Sequence, residues 1–136
     1  MDTRLNYESE FLKGVNIFVV FSEDPSYGEL KTMFDEYGYG FMVPNKNMIV
    51  IDGEILLQNF DKSFLKFVEA HEVAHIILGH DGPRSDDDEI DADLGAYILL
   101  KSSGKDDAIE LLQKTYYDRH GIEFDEKRVE MLKKHF

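Results

Sequence analysis

The chain contains no cysteine, which excludes disulfides, thiolate zinc ligands and a cysteine nucleophile together. No apolar run approaches the ~18 residues that a membrane-spanning helix requires. Residues 1–14 show no basic segment followed by an apolar core, so no secretory leader is expected. Positive charge is scarce as well: 15 Lys and Arg face 28 Asp and Glu, a formal net charge of −13. Such a surface repels nucleic-acid phosphates and anionic membranes, so neither is expected as a partner. These absences lead to the expectation of a soluble, unprocessed, cytoplasmic protein.

What remains suffices for one domain. A chain of 136 residues with 43% hydrophobic content buries about two thirds of its unfolded surface, and a single domain over 1–136 is expected. Part of the negative charge is concentrated at Asp86, Asp87, Asp88, Glu89, Asp91 and Asp93, a cluster that would draw cations in.

The most informative segment is His71-Glu72-Val73-Ala74-His75. Residues 61–78 read as one helix, with Phe64, Val68, His71, His75 and Leu78 on one stripe. At about 100° per residue, His71 and His75 stand one turn apart on one face and can share a metal ion, with Glu72 beside it. Two neutral imidazoles, an open coordination position and a neighbouring general base are the parts of a zinc hydrolase. The alternative is a pair of core histidines bonded to backbone or carboxylates. It must supply partners for two polar rings on a core-facing stripe, where an unpartnered group costs about 1–3 kcal/mol.

Around this helix the pattern alternates between strand and helix signals. Residues 15–21 read as a strand and 26–37 as a helix stopped by Gly38. Residues 41–43 and 48–51 flank Pro44-Asn45-Lys46-Asn47 as a hairpin, whose edge strand would hold an extended substrate by β-addition. Residues 54–60 are ambiguous; Asp61 or Ser63 is the expected N-cap of the motif helix and Gly79 its stop. A turn at Gly82-Pro83 leads to Ser85 as N-cap of a helix over about 86–100, and residues 105–119 and 125–136 read as two more helices.

Catalytic zinc sites usually take three protein ligands. In the second strong helix Glu89, Asp93, Ala96 and Leu100 share a stripe, and Ala92 and Ala96 would allow close approach to the motif helix. Glu89 could then reach the metal, while Asp93 could accept a hydrogen bond from the far nitrogen of His71 or His75. Both could equally be the acidic start of a helix. Asp81 stands ten residues after His71, the offset of a third metzincin ligand, but that pattern needs glycine where Leu78 stands. His80 reads as a helix-end histidine facing the negative end of the dipole.

His71-Glu72-x-x-His75, the tail Ile76-Ile77-Leu78-Gly79-His80, and Glu89-x-x-Ala92-Asp93-x-x-Ala96 together resemble the ImmA/IrrE family of small gluzincin-like metallopeptidases. The resemblance covers residues 64–100, and Gly95-Ala96 stands where the family usually carries an aromatic–alanine pair. It implies an α+β zincin-like fold, a small and mostly antiparallel sheet packed on the motif helix, with a mainly helical C-terminal half. It implies Zn2+ on His71, His75 and Glu89, with Glu72 as general base. The reaction would be peptide-bond hydrolysis, and the substrate a protein or peptide such as a transcriptional repressor in phage or stress regulation.

Two other metalloenzyme readings fail. A di-iron bundle needs a second Glu-x-x-His pair, but Val68, Ile77, Tyr117 and Leu132 precede the other histidines by three; a deformylase needs a cysteine ligand. A catalytically inactive zincin-like module that binds metal or protein stays open. For a hydrolase, Tyr97, Tyr116, Tyr117 and His120 are the candidates to stabilise the tetrahedral oxyanion, although tyrosines at helical spacing also fit a core.

Overall fold

Short segments between residues 4 and 52 pair into a four-stranded sheet in the computed structural model, which describes residues 4–37, 39–43, 46–54, 62–80 and 85–136. The strands are β1 (Arg4–Glu8), β2 (Asn16–Val20), β3 (Gly40–Val43) and β4 (Met48–Asp52). The helices are α1 (Tyr27–Tyr37), α2 (Lys62–Ile77), α3 (Asp86–Ser102), α4 (Asp106–His120) and α5 (Glu126–Leu132), followed by a 3-10 turn at Lys133–His135. The protein is therefore α+β. Its contacts group into two compact units, Met1–Glu69 and Ala70–Phe136, and the division falls inside α2.

In the first unit the strand order is β1-β2-β4-β3. β1 pairs with β2 and β3 with β4 antiparallel, whereas the central pair, β2 with β4, is parallel, so the sheet is mixed. The parallel pair follows from connectivity: α1 and β3 lie between β2 and β4 in the chain, long enough for a crossover. Central strands are covered on both sides and carry near-continuous apolar runs. Ile17, Val19, Ile49 and Ile51 are buried on one face; Val20 and Val50 join Phe34 and Phe41 in a cluster on the other, with Tyr27 and Leu30 from α1 packed against it. The expected hairpin is present as β3 and β4, and β3 is an edge of the sheet.

The strand β1 is absent from the sequence reading. A buried carboxylate helps hold it. Glu69, fully buried in α2, accepts hydrogen bonds from Tyr7 Oη and Ser9 Oγ at 2.7 Å each, and Lys66 Nζ lies 3.2 Å away. Lys66 also pairs with Glu10 at 2.8 Å and sits over the Tyr7 ring. A fully satisfied buried carboxylate of this kind fixes one arrangement of the strand on the helix.

The helices of the second unit start and stop where the punctuation residues stand. Ser85 caps α3 in a capping box: its Oγ accepts from the Asp88 backbone N–H and Asp88 Oδ2 accepts from the Ser85 N–H, both at 3.1 Å. Gly121, at φ +69°, ends α4, and Asp125 caps α5. Ser63 lies inside α2 and does not cap it. Gly38, Asp61, Gly82-Pro83, most of the ambiguous 54–60 stretch and Pro44-Asn45 lie outside the described residues.

The core of this unit is built on α3. Ala92, Leu94, Ala96 and Leu100 are fully buried, as are Leu112 and Tyr116 of α4 and Val129 of α5. Arg128 of α5 reaches back to Asp91 at 2.6 Å and Asp87 at 3.4 Å. At Gly95 α3 lies close against α2: an added Cβ there would meet Ala74 Cβ at 2.9 Å and the Phe136 ring at 2.6 Å.

Candidate metal centre

The 3.6-residue period of α2 sets His71 and His75 one turn apart, and their Nε2 atoms lie 3.1 Å from each other. Glu89, one turn into α3, presents Oε2 at 3.1 Å from His71 Nε2 and Oε1 at 3.2 Å from His75 Nε2. Of the described residues, these three form the group whose ligand atoms come together closely enough to hold a metal ion. Ligand atoms at tetrahedral angles, about 2.0–2.1 Å from one ion, stand roughly 3.3 Å apart. The 3.1 Å between the two Nε2 atoms is close to that spacing, and each ring has one Glu89 oxygen at a similar distance.

The outward-facing ring nitrogens decide which way the lone pairs point. His71 Nδ1 lies 2.8 Å from Asp93 Oδ1. A carboxylate only accepts, so this nitrogen donates and the lone pair of a neutral His71 is on Nε2. His75 Nδ1 meets His80 Nδ1 at 2.9 Å. With both rings neutral and unprotonated at Nε2, two acceptors would meet a third, the Glu89 carboxylate, an arrangement that could hold a cation at its centre. In the metal-free protein a proton takes the part. Burial disfavours the His71 imidazolium, yet hydrogen bonds with Asp93 and Glu89 outweigh it and raise its pKa from 6.5 to about 10. Burial also works against the charged forms of Glu89 and Asp93, but the neighbouring imidazoles hold both carboxyls well below their usual range: His71 and His75 for Glu89, His120 and His71 for Asp93.

Asp93 is the hub of the second layer. It is fully buried, and while Oδ1 accepts from His71, Oδ2 takes Arg119 Nη1 at 2.5 Å and a short hydrogen bond from His120 Nε2. Arg119 and His120 also line a cleft of about 370 Å³ together with Asp86, Glu89 and Ile90. The cleft therefore opens against one residue of the donor triangle.

The structure brings together His71, His75 and Glu89, and sets Asp93 behind His71. Glu72 is 3% exposed and stands outside the donor group, three residues from His75 and so on a neighbouring part of the helix surface. Asp81 lies outside the described residues. Of the oxyanion candidates, His120 shares the cleft with Glu89; Tyr97 is buried with its hydroxyl 3.1 Å from Lys101 Nζ, Tyr116 is buried, and Tyr117 is 56% exposed. Arg119 is a site residue that no sequence feature points to, and His80, expected to face the negative end of the helix dipole, has its ring engaged with His75. Neither assignment has a periodic signal behind it: Arg119 is 26 residues from Asp93, and the His80 contact forms across a helix end.

No protein-family model matches this chain, and neither do the curated proteins or the solved structures with which it was compared.

Proposed function

We propose that the protein is a zinc-dependent metallopeptidase of the gluzincin type, as its resemblance to the ImmA/IrrE family implies. The observation that carries this reading is the convergence of His71 Nε2, His75 Nε2 and Glu89 on one point, with the adjacent Glu72 left out of the donor set. Two imidazoles and a carboxylate are the donor set of hydrolytic zinc sites, and three protein ligands leave one position open. Bound zinc would supply Lewis acidity, bringing the pKa of a water down to about 7 and polarising a carbonyl. Glu72 takes the proton of the attacking water and passes it to the departing amide nitrogen. Asp93 holds the His71 ring in register, and Arg119, which lines the cleft beside Glu89, gives it a donor for a peptide carbonyl oxygen. The substrate is a protein or peptide, with a transcriptional repressor as the case the resemblance implies.

One observation favours a second reading, a zincin-like module that binds without cleaving. Glu72 is almost closed to solvent, so a water must be enclosed with it for the base to act. A peptide library incubated with zinc-loaded protein and read by mass spectrometry separates the two. The hydrolase reading expects cleavage that Glu72→Gln reduces by at least about 100-fold while zinc is retained. A fully metallated wild-type protein that cleaves neither the library nor a repressor that it binds decides for the module.

A further inference from the structure

The end of α2 is a Schellman turn. Gly79, at φ +71°, donates its N–H to Ile76 O at 3.1 Å, and His80 donates its N–H to His75 O at 3.0 Å. In such a turn an apolar contact commonly joins the residue after the glycine to the one five positions back. Here that contact is between two imidazoles. The His75 and His80 rings lie 5.1 Å apart at 64°, with Nδ1 facing Nδ1 at 2.9 Å. His80 is therefore attached twice to one residue, by backbone and by ring.

The other side of the His80 ring faces a carboxylate. His80 Nε2 lies 3.4 Å from Asp88 Oδ1, and Asp88 is held in place as the capping-box partner of Ser85. A carboxylate accepts only, so Asp88 favours the neutral His80 tautomer with its proton on Nε2 and a lone pair at Nδ1. His75 then has two acceptors to choose between, His80 Nδ1 at 2.9 Å from its Nδ1 and Glu89 Oε1 at 3.2 Å from its Nε2; the His80 contact is the shorter, and donation there leaves the His75 lone pair on Nε2, where His71 and Glu89 converge. We infer that His80, oriented by Asp88, is the positioning residue that holds His75 in the tautomer and ring orientation a metal ion needs. It does for His75 what Asp93 does for His71. The inference rests on the metal-site reading in part, since the ion supplies the purpose; the tautomer is a property of the metal-free chain. It also gives a reason for Gly79, because the left-handed turn delivers His80 back onto His75.

The test uses the full chain and the variants His80→Phe, which keeps an aromatic ring without an acceptor, and His80→Gln, whose amide oxygen can accept. Nitrogen-15 spectra of the metal-free wild-type protein should show His75 protonated on Nδ1, and His80→Phe should lose that preference. Competition of Zn2+ alone against a chromophoric chelator should show His80→Phe binding about 10–100-fold more weakly, with His80→Gln recovering most of the loss. Circular dichroism checks that each variant is folded. His75 protonated on Nε2 in the wild type, or zinc affinity within twofold of wild type in a folded His80→Phe, overturns the inference. So does binding abolished in His80→Gln as completely as in His71→Ala, which would make His80 a ligand. If wild-type protein binds no zinc, the metal reading fails separately and the nitrogen-15 arm still decides what His80 does.

Discussion

Replacing Asp93 separates two things that this residue does. Its carboxylate is fully buried and accepts from His71 on one oxygen and from Arg119 and His120 on the other. Removing one partner of a buried ionic network costs about 3–5 kcal/mol, but Arg119 is 33% exposed and recovers part of its hydration, so the low end applies. At roughly 4 °C per kcal/mol for a chain of this size, Asp93→Ala should lower Tm by about 10–15 °C. The variant stays folded at 25 °C if the wild type has the usual stability of about 5–15 kcal/mol. Its zinc affinity should fall by about 10–100-fold, because His71 loses the acceptor that orients it. Asp93→Asn should behave differently. An amide oxygen can still accept from His71 Nδ1–H, which keeps the affinity within about tenfold, but the amide NH2 then faces Arg119 and His120, so most of the stability is still lost. Glu89→Ala, which removes a donor outright, should weaken zinc binding more than either. Thermal unfolding of the metal-free proteins and chelator competition at pH 7.5 read the two effects apart. An Asp93→Ala variant with Tm within about 2 °C and zinc affinity within twofold of wild type would refute the reasoning.

Gly95→Ala should destabilise the second unit by about 1–3 kcal/mol, because its Cβ would meet Ala74 and Phe136; urea unfolding checks this, and pairing the change with Phe136→Ala should recover part of the loss. For the metal-free protein, the raised pKa of His71 means that its contribution to stability is complete below about 6.5 and is lost as pH rises through about 10. The lowered carboxyls of Glu89 and Asp93 contribute above their ordinary values of 4.5 and 3.8, and that contribution is lost as pH falls below them. A stability maximum near pH 5–6.5 is therefore expected in urea titrations. Zinc loading at pH 7.5 should release about one proton per chain, that of His71, measurable by calorimetry in buffers of different ionisation enthalpy.

Much of this was legible because punctuation residues mark the element ends. Ser85, Gly79, Gly104 and Gly121 bracket helices whose observed ends lie within a residue or two of the expected ones. The donor triangle could be read because both histidines and Glu89 fall on helical stripes, for which spacing translates into direction. β1 could not, since Arg4–Glu8 has only Leu5 and Tyr7 as apolar residues and depends on β2 and on Glu69 for its place. The parallel pairing of β2 with β4 was equally hidden: a hairpin signal reports the neighbour in sequence, not the strand across the sheet. Contacts such as Asp93 with Arg119, or His75 with His80 around a helix end, arise from tertiary placement and have no period to announce them.

The most direct test of the metal centre is the zinc content of purified protein after equilibrium dialysis, measured by inductively coupled plasma mass spectrometry on wild type and on the His71→Ala/His75→Ala double variant, with X-ray absorption on the wild type. One zinc per chain is expected in the wild type, with nitrogen and oxygen ligands at about 2.0–2.2 Å, and none in the double variant. Full occupancy in the double variant, or no zinc in the wild type, would contradict the assignment of His71, His75 and Glu89.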